Sequence, residues 1–177
     1  MAELEEIMPE SEIRRITDRI DKLESEREFG ETAVVQCREV QPRSSEFIGK
    51  GNNRCVFRKQ GKIIKVARNR DGRTENKGGR VVMENVSQEN RDAFIVPEGI
   101  DESNTVMLTE EADSVGDGEF VPVGAEDFYN EVDKKLREVY HEDGIHCNDW
   151  SFNDIGTKNG EPVLTDLGGC SPVNQQS

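Results

Sequence analysis

The stretch "SEFIGKGNNRCVFRKQGKIIKVAR", residues 45–68, decides how this chain is read. It contains three short runs rich in β-branched and aromatic residues, "SEFIGKG", "RCVFRK" and "KIIKVAR", and the breaks between them are Gly, Asn and Lys-rich. Runs of this length bounded by turn residues predict strands joined by tight connections. Two features inside the stretch carry chemistry. Gly49 and Gly51, one residue apart, let a strand turn sharply and expose backbone N–H groups, as a loop that covers phosphates must. Val56 extends the spacing to G-x-G-x-x-x-x-V over residues 49–56. Lys65 is the second feature. Strand alternation puts Ile63, Lys65 and Ala67 on one face and Ile64 and Val66 on the other. An ammonium among apolar neighbours then needs an acid partner or a bound anion. Each feature also has an ordinary reading, since Gly-x-Gly is common in hairpins and surface lysines snorkel.

Working outward, "TAVVQCREV", "AFIVPEG" and "NTVMLTE" predict further strands. Residues 10–28 predict an amphipathic helix with Ile13, Ile16, Ile20 and Leu23 on one stripe, started by Pro9 and Ser11 and stopped by Gly30. Two heptads are too short for a stable free coiled coil, so the stripe packs on the protein's own sheet or serves as a dimer or partner contact. A second helix is expected around residues 80–90, with Gly78 and Gly79 weakening its start. A third, at 125–141, lines Phe128, Val132, Leu136, Val139 and Tyr140 on one face and ends at Gly144. The stretch "IHCNDWSFNDIGTKNGEPVLTDLGGC", residues 145–170, then reads as a hairpin whose flanking turns carry Asp149, Asn153, Asp154 and Asp166. The expected fold class is α+β. The expected segments are an N-terminal helical extension at 1–32, a β-rich segment at 33–112 and a helix-plus-hairpin segment at 113–177.

The charge balance, 23 basic against 37 acidic residues or 23 − 37 = −14, makes any single carboxylate weak support for a site. An acidic, Lys-poor composition points to a high-salt cytoplasm such as that of a halophilic archaeon or its virus. It argues against free nucleic acid as a partner, because phosphate backbones are repelled. The longest apolar runs are a few residues, so no membrane span or export signal is expected. Cys37, Cys55, Cys147 and Cys170 form no CxxC pair, which suggests reduced thiols in a cytoplasm. A zinc site from His141, His146, Cys147 and Cys170 matches no usual ligand spacing.

Taken in order, the motifs resemble the protein-kinase-like superfamily, over residues 33–169. The resemblance implies an antiparallel small-lobe sheet with one helix, followed by a minimal C-terminal lobe of one long helix and a catalytic-loop hairpin. It implies ATP and Mg²⁺ as cofactors. Gly49, Gly51 and Val56 would cover the nucleotide, and Lys65, held by Glu84 or Glu75, would meet its phosphates. Asp149 would act as base, while Asp154 and Asp166, the latter followed by Leu167 and Gly168, would hold metal. The acceptor would be a hydroxyl, in the first instance Ser or Thr on a protein. Arg54 stands at the third glycine of the loop pattern, and Ile63 where a small residue is usual above the adenine. The catalytic loop admits a second register, with Asn148 at the base position and Asn153 as metal ligand, which describes an inactive kinase-like binding or structural module. His146 would support the loop or simply pack, and Trp150 would lie in the core beneath it. Nine residues follow Gly168, too few for a peptide-substrate platform, so that either another subunit meets the substrate or the fold is retained for binding. A small-molecule phosphotransferase is a third reading.

Overall fold

The computed structural model describes residues 2–25, 35–114 and 125–173. The fold is mixed α+β, and the chain divides into two units, Met1–Lys77 with Pro97–Glu111, and Gly78–Val96 with Ala112–Ser177. No helix among the described residues is long and apolar enough to cross a membrane.

The first unit is built on a five-stranded antiparallel sheet of β1 (Glu46–Lys50), β2 (Arg54–Lys59), β3 (Lys62–Ala67), β4 (Gly99–Ile100) and β5 (Val106–Glu110), in the order β1-β2-β3-β5-β4. The three strands expected from residues 45–68 form where the turn residues place them. Register then sorts the faces: Phe57, Ile64 and Leu108 stand opposite one another, as do Cys55, Val66 and Val106, and all six are buried. The helices α1 (Ala2–Ile7), α2 (Glu10–Ser25) and α3 (Cys37–Val40) add Leu4, Ile16, Ile20 and Val40 to this cluster, the bend after α1 adds Met8, and Ile13 and Leu23 pack at its edge. Each fully buried Ile, Leu or Phe contributes about 1.5–3 kcal/mol. The α2 stripe therefore belongs to the core of its own sheet, and residues 2–25 share that core instead of standing apart as an extension. The stop expected at Gly30 lies outside the described residues.

Glu12 is an exception on the α2 stripe, a carboxylate with only 7% of its side chain exposed. It accepts from the Arg43 backbone N–H and pairs with Lys59 Nζ at 3.5 Å, whose side chain is 10% exposed. Removing one partner of a buried pair leaves the other charge uncompensated, so Glu12→Ala should cost about 3 kcal/mol in urea unfolding. The double change Glu12→Leu with Lys59→Met should recover most of it; a single-variant loss below about 1 kcal/mol would contradict the pairing.

The run "TAVVQCREV" does not make the expected strand, since its described part turns into α3. Glu39 wins locally, accepting from the Gln36 backbone N–H at 3.1 Å to close a capping box. The Arg19 guanidinium donates to Glu39 as well, and it is the main reason that this carboxyl sits below its ordinary value of 4.5. A carboxyl depressed in the folded state stabilises above its unfolded value, and that contribution disappears as pH falls through the folded value. The urea midpoint of wild type should therefore exceed that of Glu39→Gln at pH 7, and the gap should close on titration below 4.5; a gap that persists at low pH would refute the assignment.

The second unit holds α5 (Ala125–Glu142) and two small antiparallel sheets. One has the order β6 (Asp113–Ser114), β8 (Ile155–Lys158), β9 (Glu161–Leu164); the other pairs β7 (Ile145–Cys147) with β10 (Cys170–Pro172). The β8–β9 turn is Asn159-Gly160, with φ of 56° and 84°, the left-handed pair that a two-residue hairpin of the favoured twist requires. Val132, Leu136 and Val139 of α5 enter a core with Ile145, Ile155, Leu164 and Leu167. Tyr140, expected on that apolar face, is instead 40% exposed, set edge-on to His146 at 5.5 Å. Trp150 is half-buried at the margin of the core and stacks on Tyr129 at 4.4 Å.

Three further expectations change. "AFIVPEG" is mostly irregular, with a one-turn 3₁₀ segment at Arg91–Ala93, a single parallel bridge from Phe94 to Leu164, and only Gly99 in a strand. The helix expected at 80–90 is α4 (Arg70–Asn85), which runs straight through Gly78 and Gly79. A Cβ on Gly78 would lie 2.1 Å from the Leu167 carbonyl oxygen, so this glycine is a contact surface and not a helix stop. The cysteines, scattered along the chain, meet in space as two disulfides, Cys37–Cys55 and Cys147–Cys170. That replaces the expected free thiols, and it removes Cys147 and Cys170 from any zinc set.

Candidate functional site

In the first unit the residues singled out from the sequence fall into one line. Gly49 is opposite Val56, Val56 opposite Lys65, and Lys65 opposite Met107, so four adjacent strands present one row on one sheet face. The opposite face carries the Phe57–Ile64–Leu108 core, which is why Lys65 is only half-buried while Ile64 and Val66 are fully buried. Gly49 and Gly51 have no positive φ, and a Cβ at either would meet open space. Neither turn geometry nor internal packing demands glycine at these positions.

The turn between β1 and β2 is fastened. Gly51 N–H donates to the Arg54 carbonyl at 2.9 Å, closing the hairpin. Arg68 Nη1 donates to the carbonyls of Gly51 and Asn52 at 2.9 and 3.3 Å. Asn53 is held by Asn69 Nδ2 at 3.1 Å and itself donates to Glu75 Oε1 at 2.7 Å. Glu75 Oε2 pairs with Arg54 Nε at 2.6 Å, and the Arg54 side chain is 8% exposed. The helix carboxylate at position 75 is thus committed to Arg54 and Asn53. Of the two acids considered for Lys65, Glu84 stands two and a half turns further along α4, 53% exposed, with Oε1 accepting from Arg80 at 3.4 Å. Asn69 caps α4 by accepting the Gly72 N–H at 2.9 Å, and Gly72 packs so closely that a Cβ would come within 2.2 Å of the Asn53 carbonyl oxygen.

In the second unit two loops, 148–154 and 165–169, run side by side. Asn148 N–H donates to the Gly169 carbonyl at 3.0 Å, and Thr165 donates to the Asp154 carbonyl through N–H at 2.7 Å and Oγ1 at 2.9 Å. A Cβ on Gly169 would be 1.9 Å from the Asn148 carbonyl oxygen, so only glycine permits this approach. These ties put Asp154 beside the residue that precedes Asp166. Asp149 is exposed and left-handed at φ 57°, a conformation that Asp and Asn tolerate better than other side chains. Asp166 Oδ1 accepts the Gly168 N–H at 3.0 Å, forming a turn. Asp154 closes a one-turn 3₁₀ segment, its Oδ2 accepting Ser151 N–H and Oγ at 2.7 and 2.9 Å. Asn153, its counterpart in the alternative register, is exposed in the middle of that turn.

Among the described residues no three His, Cys, Asp or Glu side chains converge to hold a metal by themselves. Mg²⁺ makes a smaller demand, commonly one or two carboxylates completed by phosphate oxygens and water. Asp154 and Asp166 are hard-oxygen groups on loops joined at Thr165, each with one carboxylate oxygen already accepting a hydrogen bond from its own loop. Sequence reasoning missed the Arg54–Glu75 clamp, the Arg68 anchor and the Thr165 tie. Only the disulfide had a visible sign, since Cys147 lies two residues before Asp149 and Cys170 two after Gly168.

No protein-family model and no curated protein matches this chain.

Proposed function

We propose that this chain is an ATP- and Mg²⁺-dependent phosphotransferase of protein-kinase-like fold, passing the γ-phosphate to a hydroxyl, in the first instance Ser or Thr on a protein. The observation that carries the reading is the single cross-strand row of Gly49, Val56 and Lys65. Three residues chosen from a one-dimensional pattern share one face and one line, as a phosphate-covering loop and its cation must. The strand order β1-β2-β3-β5-β4, with a helix inserted between β3 and β4, supports the small-lobe part of the reading. The succession of α5, β7, the Asp149 loop, the β8–β9 hairpin and the Asp166 turn supports the rest.

In this mechanism Lys65 neutralises α- and β-phosphate oxygens, which binds and orients the nucleotide. Gly49 and Gly51 let backbone approach it without a side chain in between. Asp154 and Asp166 hold Mg²⁺, which when bound offsets charge on the phosphate oxygens. Asp149 orients the acceptor hydroxyl and takes its proton. The acidic, Lys-poor composition supports a high-salt setting for this activity.

The test is a thermal-shift titration with ATP in high KCl, with and without Mg²⁺, on wild type, Lys65→Ala and Asp166→Asn. A Mg²⁺-dependent rise in Tm that grows with nucleotide and is lost in both variants is the expected result, because a ligand that binds only the folded state raises its stability. No shift at millimolar nucleotide would sink the reading. One observation favours an inactive binding or structural module instead: Asp154 spends one carboxylate oxygen on Ser151, as a purely structural cap would. Nucleotide binding without turnover would decide for that module.

A further inference from the structure

The two disulfides do different mechanical work. Cys55 is fully buried on β2, a strand paired along its length with both β1 and β3, so the Cys37–Cys55 bridge reinforces a segment that is already held on two sides. Cys147 and Cys170 stand directly opposite one another in the β7–β10 ladder, which is three residue pairs long and ends at Pro172, a residue with no N–H to donate. Asn148 and Asp149 continue straight from Cys147, and Gly168 and Gly169 lead straight into Cys170. The bridge is thus the one covalent tie across the mouths of both candidate-site loops, closing a 23-residue separation over a short ladder. Cys147 is partly buried at the edge of the core, the more accessible of the two, while Cys170 is only 5% exposed.

We propose that Cys147–Cys170 is a thiol–disulfide exchange site that latches the Asp149 loop to the Asp166 loop, with Cys147 Sγ as the sulfur attacked by a low-molecular-weight thiol. In the first step the thiolate bonds to Cys147 Sγ, the Sγ–Sγ bond breaks, and Cys170 leaves as thiolate and takes up a proton. A second thiol resolves the mixed disulfide, so two thiols are oxidised to one disulfide while the protein gains two electrons and two protons as two Cys–SH groups. Oxidised, the loops are held covalently in register; reduced, they are joined by non-covalent ties such as the Asn148–Gly169 and Thr165–Asp154 hydrogen bonds and the three ladder pairs. The consequence for phosphotransfer rests on the function proposed above; the latch itself does not.

The experiment is amide hydrogen exchange on the full chain, oxidised with glutathione disulfide, then reduced with dithiothreitol, alongside a Cys147→Ser/Cys170→Ser double variant. Free thiols are titrated in each state. Exchange over residues 145–149 and 168–172 should speed by roughly tenfold or more on reduction and in the double variant, while β2, β3 and β5 keep their protection. A Cys37→Ser/Cys55→Ala variant should leave those two segments unchanged. Failure of Cys147 and Cys170 to oxidise, unchanged exchange at 145–149 and 168–172 after reduction, or equal loss of protection in both units would each overturn the latch. A nucleotide shift missing from oxidised and reduced protein alike would remove the phosphotransfer reading while the exchange result still decides the latch.

Discussion

Alanine at position 78 is expected to destabilise the second unit by about 3 kcal/mol, although the same change in an ordinary helix interior stabilises by up to about 1 kcal/mol. The reversal follows from place. Gly78 lies inside α4 with its Cα against the turn that carries Asp166, and an added Cβ would sit 2.1 Å from the Leu167 carbonyl oxygen and 3.1 Å from that of Gly168. Both obstacles are backbone, so neither can swing aside as a side chain would. Either α4 or the Asp166 turn must move, and Leu167, 1% exposed, would lose packing as it did so. Urea unfolding of Gly78→Ala checks the size, and Gly51→Ala is the matched control, because its Cβ meets open space. A stabilised or neutral Gly78→Ala would mean that α4 and the Asp166 turn do not approach as described.

The second large effect concerns rate. On the phosphotransfer reading proposed above, Asp149→Asn should lower kcat by about 10²–10⁴-fold with little change in KM for ATP, since it would remove the proton acceptor and leave the phosphate-binding groups in place. Asparagine is the right replacement on structural grounds. Position 149 has φ 57°, a left-handed conformation that Asn accepts as readily as Asp, so the loop keeps its path and only the charge is lost. The same variant distinguishes the two registers of the catalytic loop. If Asn148 occupies the base position, Asp149 has no proton to take and Asp149→Asn should behave as wild type. An unchanged rate would therefore reject Asp149 as base, whereas a fall in kcat with normal Tm supports it.

Lys65 illustrates how far a strand pattern reaches. Period-two alternation placed it with Ile63 and Ala67 and opposite Ile64 and Val66; Ile63 and Lys65 are half-buried and Ile64 and Val66 fully buried, but Ala67, at the strand end, is fully buried too. Its partners across the sheet were not legible, because register depends on the turns "GNN" and "QG" and on the bulge between Phe47 and Gly49. Glu75 shows the opposite case. Nothing in the run "RDGRTENKGG" marks this acid over Glu84, yet its position on α4 brings it to Arg54 and Asn53. The misread segments share a cause: "TAVVQCREV" and "AFIVPEG" have β-rich composition, but capping by Glu39 in one and the 3₁₀ turn of residues 91–93 in the other override a weak local preference.

By itself the sequence indicated the strands of residues 45–68, the two faces of β3 around Lys65, the α2 stripe, the α5 stripe apart from Tyr140, and a hairpin within residues 145–170, and it suggested Gly49, Gly51, Lys65, Asp149, Asp154 and Asp166 as candidates. These are local properties, set by side-chain period and by the few residues that suit a turn. Tertiary structure alone decided that α2 joins the sheet core, that Gly78 and Gly169 are points of backbone approach, and that Arg54 takes Glu75. It also decided that four scattered cysteines become two bridges. Each of these depends on segments distant in the chain meeting within a few ångströms, and no spacing along one segment encodes where another will lie.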